Sequence, residues 1–270
     1  MKSSTKFVLS MGVLALMAAE AATAGFTPYV IRNSDGGNAP SITTSGANTI
    51  FGVPSALQKA GYGSNDVNGM TISQLSSMQF TLNSATPVGN TTPLTAILPY
   101  VNIWVQDAVS SNYFVINFGL DAFVTTTGGV RSVNVGYNDM VLAGAFVRVS
   151  ENNNANLGLA TGGWLATALG APGANGGNGY TMAQVANFKI VAPPSSWVAF
   201  PNNNGVGAAA PRELGTNTTF GFNWIFGQGN GVNNGYNGYD YTVSGVSVPA
   251  PGALALLGVA GLVVGRRRRA

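Results

Sequence analysis

An antiparallel β-sandwich, jelly-roll-like in its connections, is the fold class that the middle of this chain predicts. Three observations lead there. Short runs rich in β-branched and aromatic residues recur, several alternating apolar with polar, as in Tyr-Val-Asn-Ile-Trp-Val-Gln at residues 100–106. Clusters of Gly, Asn and Pro separate these runs and supply turns. No succession of helical patterns is available to cover a parallel sheet.

The elements follow in chain order. Residues 26–32 read as a first short strand, and 33–39 as a turn in which Asp35-Gly36-Gly37 provides positive φ. Looser segments come next, with one turn of helix expected around 54–61. Thr71-Ile72-Ser73-Gln74-Leu75 reads as a turn that feeds an alternating strand at 78–82, and 86–92 as a loop. The clearest hairpin spans 98–119, with arms at 100–106 and 113–118 joined through 107–112. Further strands are expected at 130–135 and 140–149. The apolar, Gly-interrupted stretch 157–169 suits a short helix, and 170–179 a loop. Strands are then expected at 188–191, 219–226 and 239–248. Thr71 to Phe80 resembles Thr181 to Ile190, and each is followed by an aromatic strand carrying Asn and Trp. Either the domain has two similar halves or two strand starts coincide. The spacing is far too long for a solenoid.

Both ends of the chain read as targeting segments. Lys2 and Lys6 precede an apolar run at 7–19. Ala22-Thr23-Ala24 then has the small-x-small form of a leader cleavage site, which makes Gly25 the mature N-terminus. The expected organisation is a signal peptide at 1–24, a sandwich domain at 25–247 and a sorting tail at 248–270. In the tail, Val248, Pro249, Ala250, Pro251 and Gly252 form a stiff start, because proline interrupts helix and sheet alike. An apolar run of 13 residues follows and is uncharged. Arg266, Arg267, Arg268 and Arg269 then act as a membrane stop, holding that end on the cytoplasmic side. As a helix the run covers about 20 Å, against roughly 30 Å of bilayer hydrocarbon, which favours a transient transmembrane helix over a permanent anchor.

This tail resembles the PEP-CTERM sorting signal of Gram-negative bacteria, in which a Pro-Glu-Pro motif precedes a transmembrane segment and a basic cluster. The resemblance is confined to residues 248–270, and Ala250 stands where the motif has glutamate. It implies an exported protein that meets the export machinery, is held briefly in the inner membrane, and is processed by an exosortase-like enzyme. The cell surface or the extracellular matrix, as in a biofilm, is then the destination.

Charge separates the ends from the middle. The chain carries 12 basic and 9 acidic residues, but Lys2, Lys6 and the four tail arginines are half of the basic ones. With Glu20 also removed, the middle has a net charge of −2, so the basic balance belongs to the targeting segments and gives no support for nucleic-acid binding. The chain has neither Cys nor His. Disulfides, thiolate metal sites, the commonest general base and the usual triad partner are therefore excluded.

The remaining chemistry rests on acids and aromatics. Asp35, Asp66, Asp107, Asp121, Asp139, Glu151, Glu213 and Asp240 do not form the close cluster a sandwich glucanase shows on one strand face. No catalytic residue, cofactor or firm metal site is expected. Asp107, Asp121 and Asp139 are the best of the weak candidates for calcium. Trp104 and Trp224 lie within strands and are expected in the core. Trp164 and Trp197 lie in irregular segments, where they either fill the core or offer a platform that stacks on sugar rings. The sequence therefore favours a non-enzymatic surface or matrix protein associated with the envelope or exopolysaccharide. A carbohydrate-binding module is the alternative, and a secreted glycan-active enzyme the second alternative.

Overall fold

A computed structural model describes residues 25–33, 39–55, 58–87, 98–106, 113–150, 169, 179–199, 210–227 and 238–248. Among these residues fourteen strands form two antiparallel sheets: β1 (Thr27–Arg32), β2 (Ser41–Ser45), β3 (Asn48–Val53), β4 (Lys59–Ser64), β5 (Met78–Pro87), β6 (Tyr100–Gln106), β7 (Tyr113–Phe118), β8 (Val124–Thr127), β9 (Val130–Val135), β10 (Phe146–Ser150), β11 (Gly179–Thr181), β12 (Lys189–Ile190), β13 (Phe222–Phe226) and β14 (Tyr239–Ser247). The larger sheet runs β1-β4-β13-β6-β7-β10-β11, with β12 extending the β13 side of β6. The smaller runs β2-β3-β14-β5-β9-β8. The only helical pieces described beyond isolated turns are α1 (Tyr137–Leu142) and α2 (Ser195–Val198). The chain is thus all-β and sandwich-like. Among the described residues no helix is long and apolar enough to cross a membrane, and the tail beyond Val248 lies outside them.

One core joins the sheets. Val101, Ile103, Phe114, Ile116, Phe222 and Trp224 of the larger sheet meet Phe51, Phe80, Leu82, Val133 and Tyr241 of the smaller, all buried. Aromatic pairs cross between them: Phe51 stacks on Phe226 at 4.1 Å, and Phe80 meets Trp224 edge-on at 4.8 Å. Such ring pairs add to the burial of their large apolar areas.

The larger sheet is covered on its second face too. Tyr29, Ile31, Phe220 and Ile225 form one small outer cluster, and Trp104, Tyr113, Val115, Val198 and Ala210 another. The covering chain comes from 191–199 and 210–220. This explains why alternation fades in β6 and β13: every residue of β13 is buried. A strand packed on both faces has no solvent side to mark with polar residues.

Two glycines on β4 make that cover possible. A Cβ on Gly61 would overlap the Tyr29 ring, and one on Gly63 the Phe220 ring. Both rings are buried and cannot swing away. Gly63→Ala is expected to destabilise by about 1–3 kcal/mol, as overpacking in a filled core does, read as a lowered urea midpoint at unchanged slope.

Several sequence expectations need correction. The strand expected at 140–149 is α1 followed by β10. The Gly136 amide donates to Asp139 Oδ2 (2.8 Å) and starts the helix, Met140 buries its side chain, and Gly144 at φ 65° lies in the turn beyond it. The Asp139 N-terminal bond was the missed signal. The helical turn expected at 54–61 gives way to β4, whose Ala60 and Gly61 pair with both β1 and β13. Strands β2, β3, β8 and β11 were not anticipated. Polar runs such as Ser41–Ser45 and Val124–Thr127 lack the apolar face that would flag them. The expected helix at 157–169 lies outside the described residues except for Leu169, and the loops at 33–39, 107–112 and 170–179 largely do.

The two similar sequence stretches make the same turn. Thr71 N donates to Gln74 Oε1 and Thr181 N to Gln184 Oε1, each at 2.8 Å. Ile72, Leu75, Met182 and Val185 are all buried beneath them. The turns are joined directly, with Ser73 N donating to Ala186 O (3.0 Å) and Ile72 N to Phe188 O (3.1 Å). Strands β6 and β13 are neighbours, with Asn102 opposite Asn223.

Candidate functional site

Among the described residues, nothing covers one broad face of the smaller sheet. Alternation along its strands sends the apolar residues inward and a set of short hydroxyls and amides outward. Register aligns the outward positions into rows: Thr43, Thr242 and Ser84 with the apolar Ile50 in one, and Ser244, Thr81, Ser132 and Thr125 in another. Gln79 lies opposite Asn134 beyond the second row. Side chains along the face are tied together. Asn83 Nδ2 donates to Asn48 Oδ1 and Ser244 Oγ, both at 3.0 Å; Gln79 Nε2 donates to Ser77 Oγ, which donates to Asn134 Oδ1, both at 3.1 Å. Asp240, in the row with Ser41, Gly52 and Thr86, brings a charge to an otherwise neutral array. The rows present donors and acceptors at the strand spacing of about 4.8 Å. Such a surface suits a partner that is itself polar and uncharged.

A cleft of about 270 Å³ opens between the sheets at the β1 end, lined by Phe26, Ala47, Thr49, Tyr62, Val243, Ser244, Gly245 and Val246. It forms where the β14–β5 register slips between Ser244 and Ser247, with Gly245 at φ 58° taking the bend. The Phe26 and Tyr62 rings lie 5.2 Å apart at its wall, and Thr49 Oγ1 donates to Tyr62 Oη at 3.5 Å. An aromatic wall with a few polar groups beside it is the usual make-up of a small-molecule site. Sequence reasoning did not single out Phe26, Thr49 or Tyr62, because their juxtaposition depends on β3, β4 and the residue that precedes β1.

Each described acid has a local setting. Asp66 Oδ2 accepts from Gly25 N, Asp139 Oδ2 from Gly136 N, and Glu213 from the Thr216 hydroxyl. Asp240 is exposed beside Ser41 and Gly52, and Asp121 is exposed in the turn before β8. Among the described residues no three acids gather where they would hold a metal ion. Of the calcium candidates, Asp107 lies outside the described residues, as do Asp35 and Glu151.

The tryptophans take different places. Trp104 and Trp224 are both fully buried, on opposite faces of the larger sheet. Trp197 on α2 is half-buried and meets Trp104 edge-on at 6.2 Å and Tyr113 at 5.0 Å, so one side of its ring is already used in the cover. Trp164 lies outside the described residues. So do Ala22, Ala24, Pro249, Ala250, Pro251, Gly252 and Arg266 to Arg269; Gly25 and Val248 are described, with Val248 buried in the core.

Comparison with protein families, curated proteins and solved structures finds no match.

Proposed function

We propose that this is a non-enzymatic, exported protein of the cell surface or extracellular matrix, a jelly-roll-like sandwich that lies against neutral polysaccharide. The neutral hydroxyl and amide face of the smaller sheet carries this reading. Polysaccharide hydroxyls both donate and accept, and a fixed lattice of Thr, Ser, Asn and Gln meets them without desolvating charge. The leader at 1–24 supports export, and the tail at 248–270 supports transient anchoring in the inner membrane followed by processing by an exosortase-like enzyme. The test is co-sedimentation of the exported protein with neutral exopolysaccharide. Introducing charge in the row of Ser244, with Thr81→Glu and Ser132→Glu together, is expected to reduce retention at least tenfold while leaving the unfolding free energy, read from urea unfolding, within about 1 kcal/mol of wild type. Equal retention refutes the assignment to this face. Mass spectrometry of the mature protein tests the tail, because processing removes Arg266 to Arg269.

A second reading is favoured by the cleft. There Phe26 and Tyr62 would stack on one sugar ring of a glycan, with Thr49 and Ser244 as hydrogen-bond partners, making the protein a carbohydrate-binding module. On a glycan array, binding that Tyr62→Ala abolishes and the charged face does not affect supports the cleft.

A further inference from the structure

The first described residue is already held. Gly25 N lies 2.5 Å from Asp66 Oδ2, and Gly25 is exposed. Asp66 follows the end of β4, at the point where β1 begins, since Thr27 pairs with Gly63. Its turn is fixed from below. Asn65 Oδ1 accepts from Gly221 N (2.8 Å) and from Asn68 Nδ2 (3.1 Å), Asn65 Nδ2 donates to Thr219 O (3.3 Å), and Asp66 N donates to Ser64 Oγ (3.2 Å). The carboxylate is thus presented on a braced turn to one nitrogen.

We propose that Asp66 is the receiving site for the α-ammonium that leader removal creates at Gly25. The inference rests on reading residues 1–24 as a cleaved leader. Hydrolysis adds water across the Ala24–Gly25 amide: Ala24 leaves as a carboxylate, and the Gly25 nitrogen becomes a protonated amine. A neutral donor with one N–H becomes a cation with three, opposite a carboxylate already in contact. The ammonium–carboxylate pair carries charge on both partners, where the amide N–H to carboxylate bond carries it on the acceptor alone. The next residue gives the pairing a consequence. Phe26 packs on Tyr62 at 5.2 Å and edge-on to Phe222 at 6.3 Å, and forms a wall of the cleft. Pairing at Gly25 therefore reinforces the hold on that wall, which already stands in the uncleaved chain.

The test uses the protein exported from cells that make the full chain, as wild type and as Asp66→Asn. Its N-terminus is read by mass spectrometry, and limited acetylation with acetic anhydride near neutral pH is followed at Gly25, with the exposed Lys189 as internal reference. An amine held protonated on a carboxylate is withheld from acylation. The Gly25-to-Lys189 ratio is expected to be about two- to fivefold lower in wild type than in Asp66→Asn, the range for an exposed ion pair. In 1 M salt the wild-type ratio is expected to rise toward that of the variant, which also serves if the variant is not recovered. If the chain begins at Gly25 but the ratios are equal, or salt leaves the wild-type ratio unchanged, the pairing is wrong and the leader reading stands. If the chain begins elsewhere, both are wrong.

Discussion

Asn223→Ala is expected to lower the unfolding free energy by about 3–5 kcal/mol, the cost of stranding several buried polar groups at once. Asn223 is fully buried on the covered face of the larger sheet. Its Oδ1 accepts from the Tyr29 hydroxyl at 2.5 Å, and its Nδ2 donates to Phe220 O (2.7 Å) and Asn102 O (3.2 Å). The neighbouring Asn102 Oδ1 accepts from Asn117 Nδ2 at 2.6 Å, so a polar row crosses β7, β6 and β13 beneath apolar cover. Alanine removes one member and leaves a hydroxyl and two carbonyls short of partners at a fully buried position. Urea unfolding monitored by fluorescence measures the loss. A double-mutant cycle with Tyr29→Phe isolates the Tyr29–Asn223 coupling, since the two single effects should not add. A loss below about 1 kcal/mol would show that the row is not structural.

The same row fixes an alkaline limit. Burial, then the nearby Tyr100 and Glu213, push the Tyr29 hydroxyl well above its ordinary value of 10.0. The folded state therefore keeps this proton where the unfolded chain loses it. The contribution is intact below pH 10 and declines at higher pH, by up to about 1.4 kcal/mol per pH unit for one tyrosine. Tyr29→Phe is expected to make that alkaline limb shallower. Tyr113 and Tyr180, also raised by burial, account for part of what remains.

Trp104→Ala is expected to cost about 3–5 kcal/mol and to loosen the outer cover. Trp104 is fully buried, its Nε1 donates to Pro211 O at 2.9 Å, and its ring supports Trp197 and Val198. Removing it opens a cavity and frees the carbonyl that holds 210–211 against the sheet. Trp197→Ala, which removes a half-buried ring from the same cluster, is expected to cost less than half as much. The polar contact sharpens the comparison with Trp224, whose Nε1 is buried without a hydrogen-bond partner among the described residues. Trp224→Phe discards a donor that stabilises nothing, whereas Trp104→Phe also strands the Pro211 carbonyl. Equilibrium unfolding should rank Trp104→Phe as the more damaging of the two.

The parts legible in the sequence share one property: their pattern is local. The β6–β7 hairpin, β9, β13 and β14 carry enough β-branched and aromatic residues to be read directly. The two Thr-x-x-Gln turns were legible for the same reason. α1 was missed because five apolar residues between Met140 and Val147 outweighed one carboxylate placed to cap Gly136. β2 and β8 were missed because edge strands of Ser and Thr bury almost nothing. The candidate surfaces were legible only as composition. Asn, Ser and Thr had to cover a chain with 8% charged residues, but which of them share a row is a matter of register.

By itself, the sequence determined the strand-rich character of the middle, the absence of His and Cys chemistry, and the separation of positive charge into the two ends. These follow from residue type and short-range spacing. Only the tertiary structure decided that the larger sheet is sealed on both faces while the smaller shows a neutral polar lattice, that Asn102 and Asn223 lie side by side, and that Asp66 meets Gly25. Each of these joins residues distant in the chain, and strand pairing brings them together because both sheets must bury their apolar faces in one core.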